Sequence, residues 1–306
     1  MRLSPEVAEA IREGRAVVAL ETSLVAQGLP PPRNLEAALA CEEAVRARGA
    51  VPAATAVIGG ELRAGLERNE LELLADPAAT VVKLSSRDLG WALAAGALGA
   101  TTVAGAVRIS ALAGIRFMAT GGIGGVHRAR LGHPEDQSAD LVELSRSPVA
   151  VFCAGAKMIL DIPATLERLE SLAVPVLGYR CDEFPAFYSA AGGRPVPARV
   201  DSPEAVARSL AAGWAAGSAG AVVAVVPPEE LLGAAGIVAQ ALDESADEQG
   251  PAATPAALAR IAELTGGRSV DVNVKVVVNN AAVAAECAVA WALASRPASP
   301  LRGVVS

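Results

Sequence analysis

The chain is predicted to form a single three-layer α/β/α domain, residues 1–306, with a largely parallel or mixed central sheet. Three observations carry this. Short β-branched runs alternate with longer alanine- and leucine-rich segments along the whole length, the pattern of βαβ units. The strand-like runs are apolar throughout rather than alternating, as expected for strands covered on both faces. No repeat, linker or low-complexity segment divides the chain.

The elements follow in order. Ser4 and Pro5, then Glu6 and an amphipathic run to Gly14, carry the cap, first-turn proline, first-turn acid and terminal glycine of a helix. Residues 16–20, 53–58, 80–84, 115–119, 149–152, 174–179 and 219–225 read as buried strands. Residues 34–48, 86–98 and 163–172 read as helices between them, the first two ending before Gly49 and Gly99. Residues 195–197 and 243–250 read as surface loops. Residues 274–295 are the longest apolar stretch, but Lys275, Asn279, Asn280 and Glu286 interrupt it, so a buried helix explains it better than a membrane span.

Composition narrows the function. Hydrophobic residues make up 52% of the chain and aromatics 3%, so the core is built from Ala, Val and Leu, and disorder is dismissed. A net charge of −7 argues against nonspecific nucleic-acid binding, which replaces counterions with a basic surface. No polybasic run favours a membrane surface. The N-terminus lacks the pattern of a signal peptide, which points to the cytoplasm. Cys41, Cys153, Cys181 and Cys287 are far apart without a CxxC pair and are expected to be buried small hydrophobes.

In a parallel sheet, chemistry gathers where strands end and helices begin. Lys157 follows the strand 149–152 after a small-residue turn, among apolar neighbours that favour a neutral, nucleophilic amine. Its other reading is a lysine at a helix start, reaching for solvent. Glu21 ends the strand 16–20, as a general acid or as a loop acid bonded to backbone. Thr120-Gly121-Gly122-Ile123-Gly124-Gly125-Val126-His127-Arg128 brings backbone amides close to a potential anion, as phosphate cradle or tight turn. It has neither dinucleotide nor P-loop spacing. Asp136 and Asp140, with Ser138 between, would share a face on a helix start and there hold a hard cation and a substrate hydroxyl, or simply cap the helix. His133 is a further possible ligand. Asn273, Asn279 and Asn280 place amides in an apolar segment, where they need backbone or substrate partners.

Taken together these segments resemble the pseudouridine-5′-phosphate glycosidase family, also described as indigoidine-synthase-A-like. The resemblance rests on Val18-Ala19-Leu20-Glu21-Thr22-Ser23, Val57-Ile58-Gly59-Gly60, Lys83 with Arg87-Asp88, and Gly99-Ala100-Thr101-Thr102-Val103-Ala104. It continues through Ala119-Thr120 and the glycine loop, Ser138-Ala139-Asp140-Leu141, and Cys153-Ala154-Gly155-Ala156-Lys157. It implies reversible cleavage of the C–C glycosidic bond of a phosphorylated C-nucleoside, giving uracil and ribose 5-phosphate. It also implies Glu21 as proton donor, Lys157 as covalent nucleophile, and Asp136 as ligand of a manganese ion (Mn2+). Substrate contacts fall to Lys83, Val103, Ser138, Ala139, Asp140 and Asn273, with Thr120 opening the glycine loop, and a homotrimer is implied. Gln27 stands where a histidine is common, Ser86 replaces one of two arginines, and Glu135 replaces an apolar residue. A Schiff-base phosphosugar aldolase and a pigment-pathway relative are the alternatives.

Overall fold

The computed structural model describes residues 1–128, 135–245 and 253–295. Its strands are β1 (Arg2–Leu3), β2 (Val17–Leu20), β3 (Val51–Ile58), β4 (Glu61–Ala64), β5 (Val82–Leu84), β6 (Gly99–Thr101) and β7 (Phe117–Ala119). There follow β8 (Val126–His127), β9 (Ala150–Cys153), β10 (Leu160–Asp161), β11 (Val176–Tyr179), β12 (Ala198–Val200) and β13 (Ala221–Val225). The helices are α1 (Pro5–Arg12), α2 (Arg33–Arg46), α3 (Arg68–Ala75), α4 (Leu89–Ala94), α5 (Val103–Ala113) and α6 (Ala139–Leu144). The remainder are α7 (Ile162–Ser171), α8 (Pro203–Ala215), α9 (Ala234–Glu244), α10 (Ala253–Leu264) and α11 (Arg268–Ala294).

The sheet is mixed. Strands β3-β2-β7-β9-β13-β11-β12 lie side by side, each pair parallel. β3 runs beyond this block, and its C-terminal half pairs antiparallel with β4 on one side and β6 on the other. Alternate strand residues point to opposite faces, and two cores result. Val17, Ala19, Met118, Val151 and Cys153 belong to one; Val18, Leu20, Phe117, Ala150 and Phe152 belong to the other. The second is closed by the small residues of α11, which packs on α2, α8 and the centre of the sheet. That helix is long and apolar enough to cross a membrane, yet Val276, Asn280, Ala284 and Cys287 are buried against the protein, as expected for a core helix.

All seven expected strands form, with ends shifted by no more than two residues. The helix expected over 86–98 is instead a 3-10 turn, Ser86–Asp88, followed by the short α4. Ser85 and Asp88 cap one another's backbone and hold that first turn tight, and Gly96, at φ +66°, ends the segment before β6. β6 itself is too small-residued to announce a strand. The loop expected over 243–250 begins inside α9, and residues 246–250 lie outside the described residues. All four cysteines are free and buried.

Beneath the ends of β2, β3 and β6 lies a knot of buried hydroxyls. Thr22 Oγ1 donates to the Thr55 carbonyl at 2.7 Å and accepts from the Thr101 amide at 3.0 Å. Thr55 and Thr101 hydroxyls lie 2.8 Å apart, and Thr55 also reaches the Leu20 carbonyl at 3.2 Å. Buried polar groups must find such partners, since each one left unpaired costs about 1–3 kcal/mol. Thr55→Val keeps the volume and removes the hub. Stability in urea unfolding is expected to fall by about 1–3 kcal/mol through a lower midpoint at unchanged slope. An unchanged midpoint would show that the knot contributes nothing.

Candidate active site

The chain ends of β2, β5, β7 and β9 converge on one cleft of about 540 Å³. Glu21, Lys83, Thr120, Gly121, Gly122, Lys157 and Asn273 line it together, although 252 positions separate the first from the last.

Glu21 leaves β2 directly above the threonine knot. Its carboxylate accepts from the Ser23 hydroxyl at 2.6 Å and the Leu24 amide at 3.2 Å, while its other oxygen faces the Thr120 hydroxyl at 3.3 Å. Three donors aim it into the cleft. Next to Glu21, Leu24–Gly28 forms a turn of π-helix that brings Gln27 and Gly28 to the rim. Gln27, the departure from the resembled pattern, donates to the Val81 carbonyl at 3.0 Å and so ties this rim to the entry of β5.

Lys157 does not start a helix. It sits in the turn between β9 and β10, half-buried, its amide bonded to the Ile123 carbonyl at 3.1 Å. The reading of a helix-start lysine reaching for solvent therefore falls. Its surroundings are not charge-free either, because the topology brings Lys83 beside it. Lys83 keeps access to solvent, but crowding protein atoms depress its pKa, the Lys157 charge lowers it further, and Glu21 and Asp140 oppose the shift. This juxtaposition of two amines is long-range and invisible in either local sequence.

The glycine loop explains why side chains are missing there. A Cβ on Gly122 would stand 2.6 Å from the Phe187 ring. A Cβ on Gly124 would stand 2.2 Å from Ser138 Oγ and 2.9 Å from Asp140 Oδ2. Gly155, at φ +70°, would drive a Cβ to 1.8 Å from the Pro185 carbonyl oxygen. Phe187 closes the cleft from the side, held by its amide on the Ala154 carbonyl at 2.8 Å. Thr254, Pro255 and Leu258 of α10 add a third wall. Phe187 and these α10 residues are cleft-lining positions that the sequence did not point to. A single phenylalanine in a loop and an alanine-rich helix give no chemical signal.

Asp136 and Asp140 do not share a helix face, because α6 starts only at Ala139, with Ser138 as its cap. Asp140 is buried and clamps two amides, Ala104 at 2.9 Å and Gly124 at 2.8 Å. It thereby ties the start of α5, where Val103 is the first residue, to the glycine loop. Val103, Ser138, Ala139 and Asp140 form a shelf beside the cleft rather than part of its lining. Asp136 is exposed, with one carboxylate oxygen 3.8 Å from His127 Nε2. His133 lies outside the described residues. Among the described residues no three His, Cys, Asp or Glu side chains converge as a metal site. Of the pair that does meet, only the Asp136 carboxylate is an oxygen donor, so a hard cation held there would draw most of its shell from water or substrate oxygen.

Asn273 is 6% exposed and borders the cleft, and its side-chain oxygen has no partner within the protein. A buried acceptor left open at a cleft is available for a ligand donor.

Residues 6–290 match the family model described as indigoidine synthase A like protein. The chain is 45% identical to pseudouridine-5′-phosphate glycosidase of Escherichia coli K12 over 295 residues, covering 94% of each. It is 50% identical to the protein of the same name from Herpetosiphon aurantiacus, covering 94% of this chain and 97% of that one. Among solved structures, the prealnumycin C-glycosynthase AlnA in complex with ribulose 5-phosphate superposes with a TM-score of 0.86 at 36% identity. That match covers 96% of this chain and 97% of the other. An indigoidine synthase A-like protein of Thermotoga maritima superposes at 0.83 and 32% identity, over 90% and 93% of the two chains.

The Lys83–Lys157 pairing makes a signed prediction. Removing the Lys157 charge by Lys157→Ala relieves the like-charge repulsion and raises the Lys83 pKa. NMR titration of the protein carrying 13C-dimethylated lysines is expected to show the Lys83 signal moving to higher pH in the variant. An unchanged Lys83 titration would mean that the two amines do not face each other.

Proposed function

The chain belongs to the indigoidine synthase A-like family and is an enzyme, and from this premise we propose that it cleaves the C–C glycosidic bond of pseudouridine 5′-phosphate. The products are uracil and ribose 5-phosphate. One observation carries the mechanism: a hydrogen-bonded carboxylate and a half-buried amine, Glu21 and Lys157, line the same cleft beside a second amine, Lys83.

The chemistry accounts for that set. A carbon leaving group offers no electronegative atom for an acid to protonate, so the two-carboxylate route of ordinary glycosidases serves it poorly. In the proposed route Lys157 Nζ bonds to C1′ as the C1′–O4′ bond breaks, and Glu21 gives its proton to O4′. The adduct nitrogen returns a proton to the Glu21 carboxylate, Glu21 passes it to C5, and the nitrogen lone pair drives cleavage of the C1′–C5 bond, so that the uracil leaves and C1′ becomes the carbon of an iminium. Water hydrolyses the iminium, releasing ribose 5-phosphate and restoring the amine. Lys83, as a cation, meets the phosphate or a developing oxyanion. The shelf at Val103 and Ser138–Asp140 sets the far end of the sugar phosphate, next to the N-terminus of α5, where the helix dipole favours an anion. The open oxygen of Asn273 accepts a donor from the base.

Asp136 is the proposed ligand for Mn2+, with His127 beside it. Such a cation supplies charge to bind and orient oxygen groups of the substrate. A cytoplasmic location and a homotrimeric assembly belong to the same proposal.

The test separates the two catalytic roles. Lys157→Ala is expected to lose uracil release by several orders of magnitude and to give no borohydride-stable adduct with ribose 5-phosphate. Glu21→Ala is expected to cleave very poorly, yet still to trap ribose 5-phosphate slowly, because that sugar opens to its aldehyde without enzyme. An adduct that maps to Lys83 instead would reverse the assignment. Asp136→Ala is expected to weaken activation by manganese, and an unchanged manganese titration would remove Asp136 as a ligand.

A further inference from the structure

We propose that Asn280 is a positioning residue that locks Glu21 and Lys157 into register through the backbone of Thr120 and Gly121.

Asn280 lies on α11 seven residues after Asn273, two turns along the same face. It is fully buried. Its Nδ2 donates to both the Thr120 carbonyl at 2.8 Å and the Gly121 carbonyl at 3.2 Å. Only the NH2 end of the amide can serve two carbonyl acceptors, so the orientation of the side chain follows from its partners. The other end, Oδ1, is buried with no partner. Such a group costs stability, and a core helix made of valine and alanine has no packing need for it. Its value lies in what it holds.

The two carbonyls belong to the peptide that joins the catalytic elements. Thr120 places its hydroxyl 3.3 Å from the Glu21 carboxylate. The Gly121 carbonyl also accepts the Ala154 amide at 2.8 Å, and two residues on, the Ile123 carbonyl accepts the Lys157 amide at 3.1 Å. One side chain thus fixes the segment that touches the proton donor on one side and the nucleophile's turn on the other. The absence of a side chain at Gly121 lets the helix approach: a Cβ there would stand 2.9 Å from Val277 Cγ1 and 3.3 Å from Asn273 Oδ1. The phosphate shelf is held separately, by Asp140, so losing Asn280 should disturb chemistry more than binding.

The inference rests on the proposed lysine-adduct mechanism, and the experiment keeps the two apart. Asn280→Ala and Asn280→Leu are compared with wild type for uracil release from pseudouridine 5′-phosphate and for borohydride trapping by ribose 5-phosphate. Leu fills the volume without a donor. Loss of about an ångström of register is worth up to roughly 100-fold in rate. Both folded variants are expected to lose about 10- to 100-fold in kcat and in trapping rate, with KM changed by less than about threefold. If Asn280→Leu keeps the wild-type kcat, the residue fills space only and the proposal falls. A rise in KM at unchanged kcat would also overturn it. If wild type releases no uracil, the glycosidase reading fails, while the trapping comparison still decides the role of Asn280.

Discussion

The hydroxyl of Thr55 ties together β2, β3 and β6 at the point where the sheet passes from parallel to antiparallel pairing. Two strands run parallel there and a third runs against them, so their backbone groups cannot all be satisfied by a regular ladder. Thr22, Thr55 and Thr101 close the gap with side-chain oxygens. The cleft's carboxylate and the cap of α5 are each one residue away. Glu21 precedes Thr22, and Thr102, which caps α5, follows Thr101. The direction of the carboxylate and the position of the α5 N-terminus are therefore set by the same buried contacts.

A second clamp, built on the same principle, serves the opposite wall. Asp140 bonds the amides of Ala104 and Gly124, so the start of α5 and the glycine loop move as one. A carboxylate accepting two backbone N–H groups is a strong, directional tie. The glycines at 122, 124 and 155 let Phe187, Ser138 and the Pro185 carbonyl come close enough to shape the cleft. Tight approach and buried polar contacts together leave little room for the loop to rearrange.

Much of this is legible in the sequence alone. Continuous apolar runs located the parallel strands because both their faces are covered, and the strand ends pointed to Glu21, Lys157 and the glycine loop. What sequence could not supply was pairing at a distance. The meeting of Lys83 with Lys157, the wall formed by Phe187, and the use of Asn280 on two carbonyls depend on contacts between segments tens to hundreds of residues apart. The shared helix face expected for Asp136 and Asp140 failed for a local reason: Ser138 caps α6, which puts Asp136 outside it. β6 escaped notice because glycine and alanine carry little strand preference.

The three lysines of the whole chain are Lys83, Lys157 and Lys275, and two of them stand in the cleft. Lys275 is paired with Glu229, and the remaining side-chain cations are arginines and two histidines. A guanidinium does not condense with aldehydes as an amine does. Aldehydic sugars are glycating agents that modify exposed amines over time. With its surface charge carried by arginine, this protein offers such a sugar almost no side-chain amine outside the cleft.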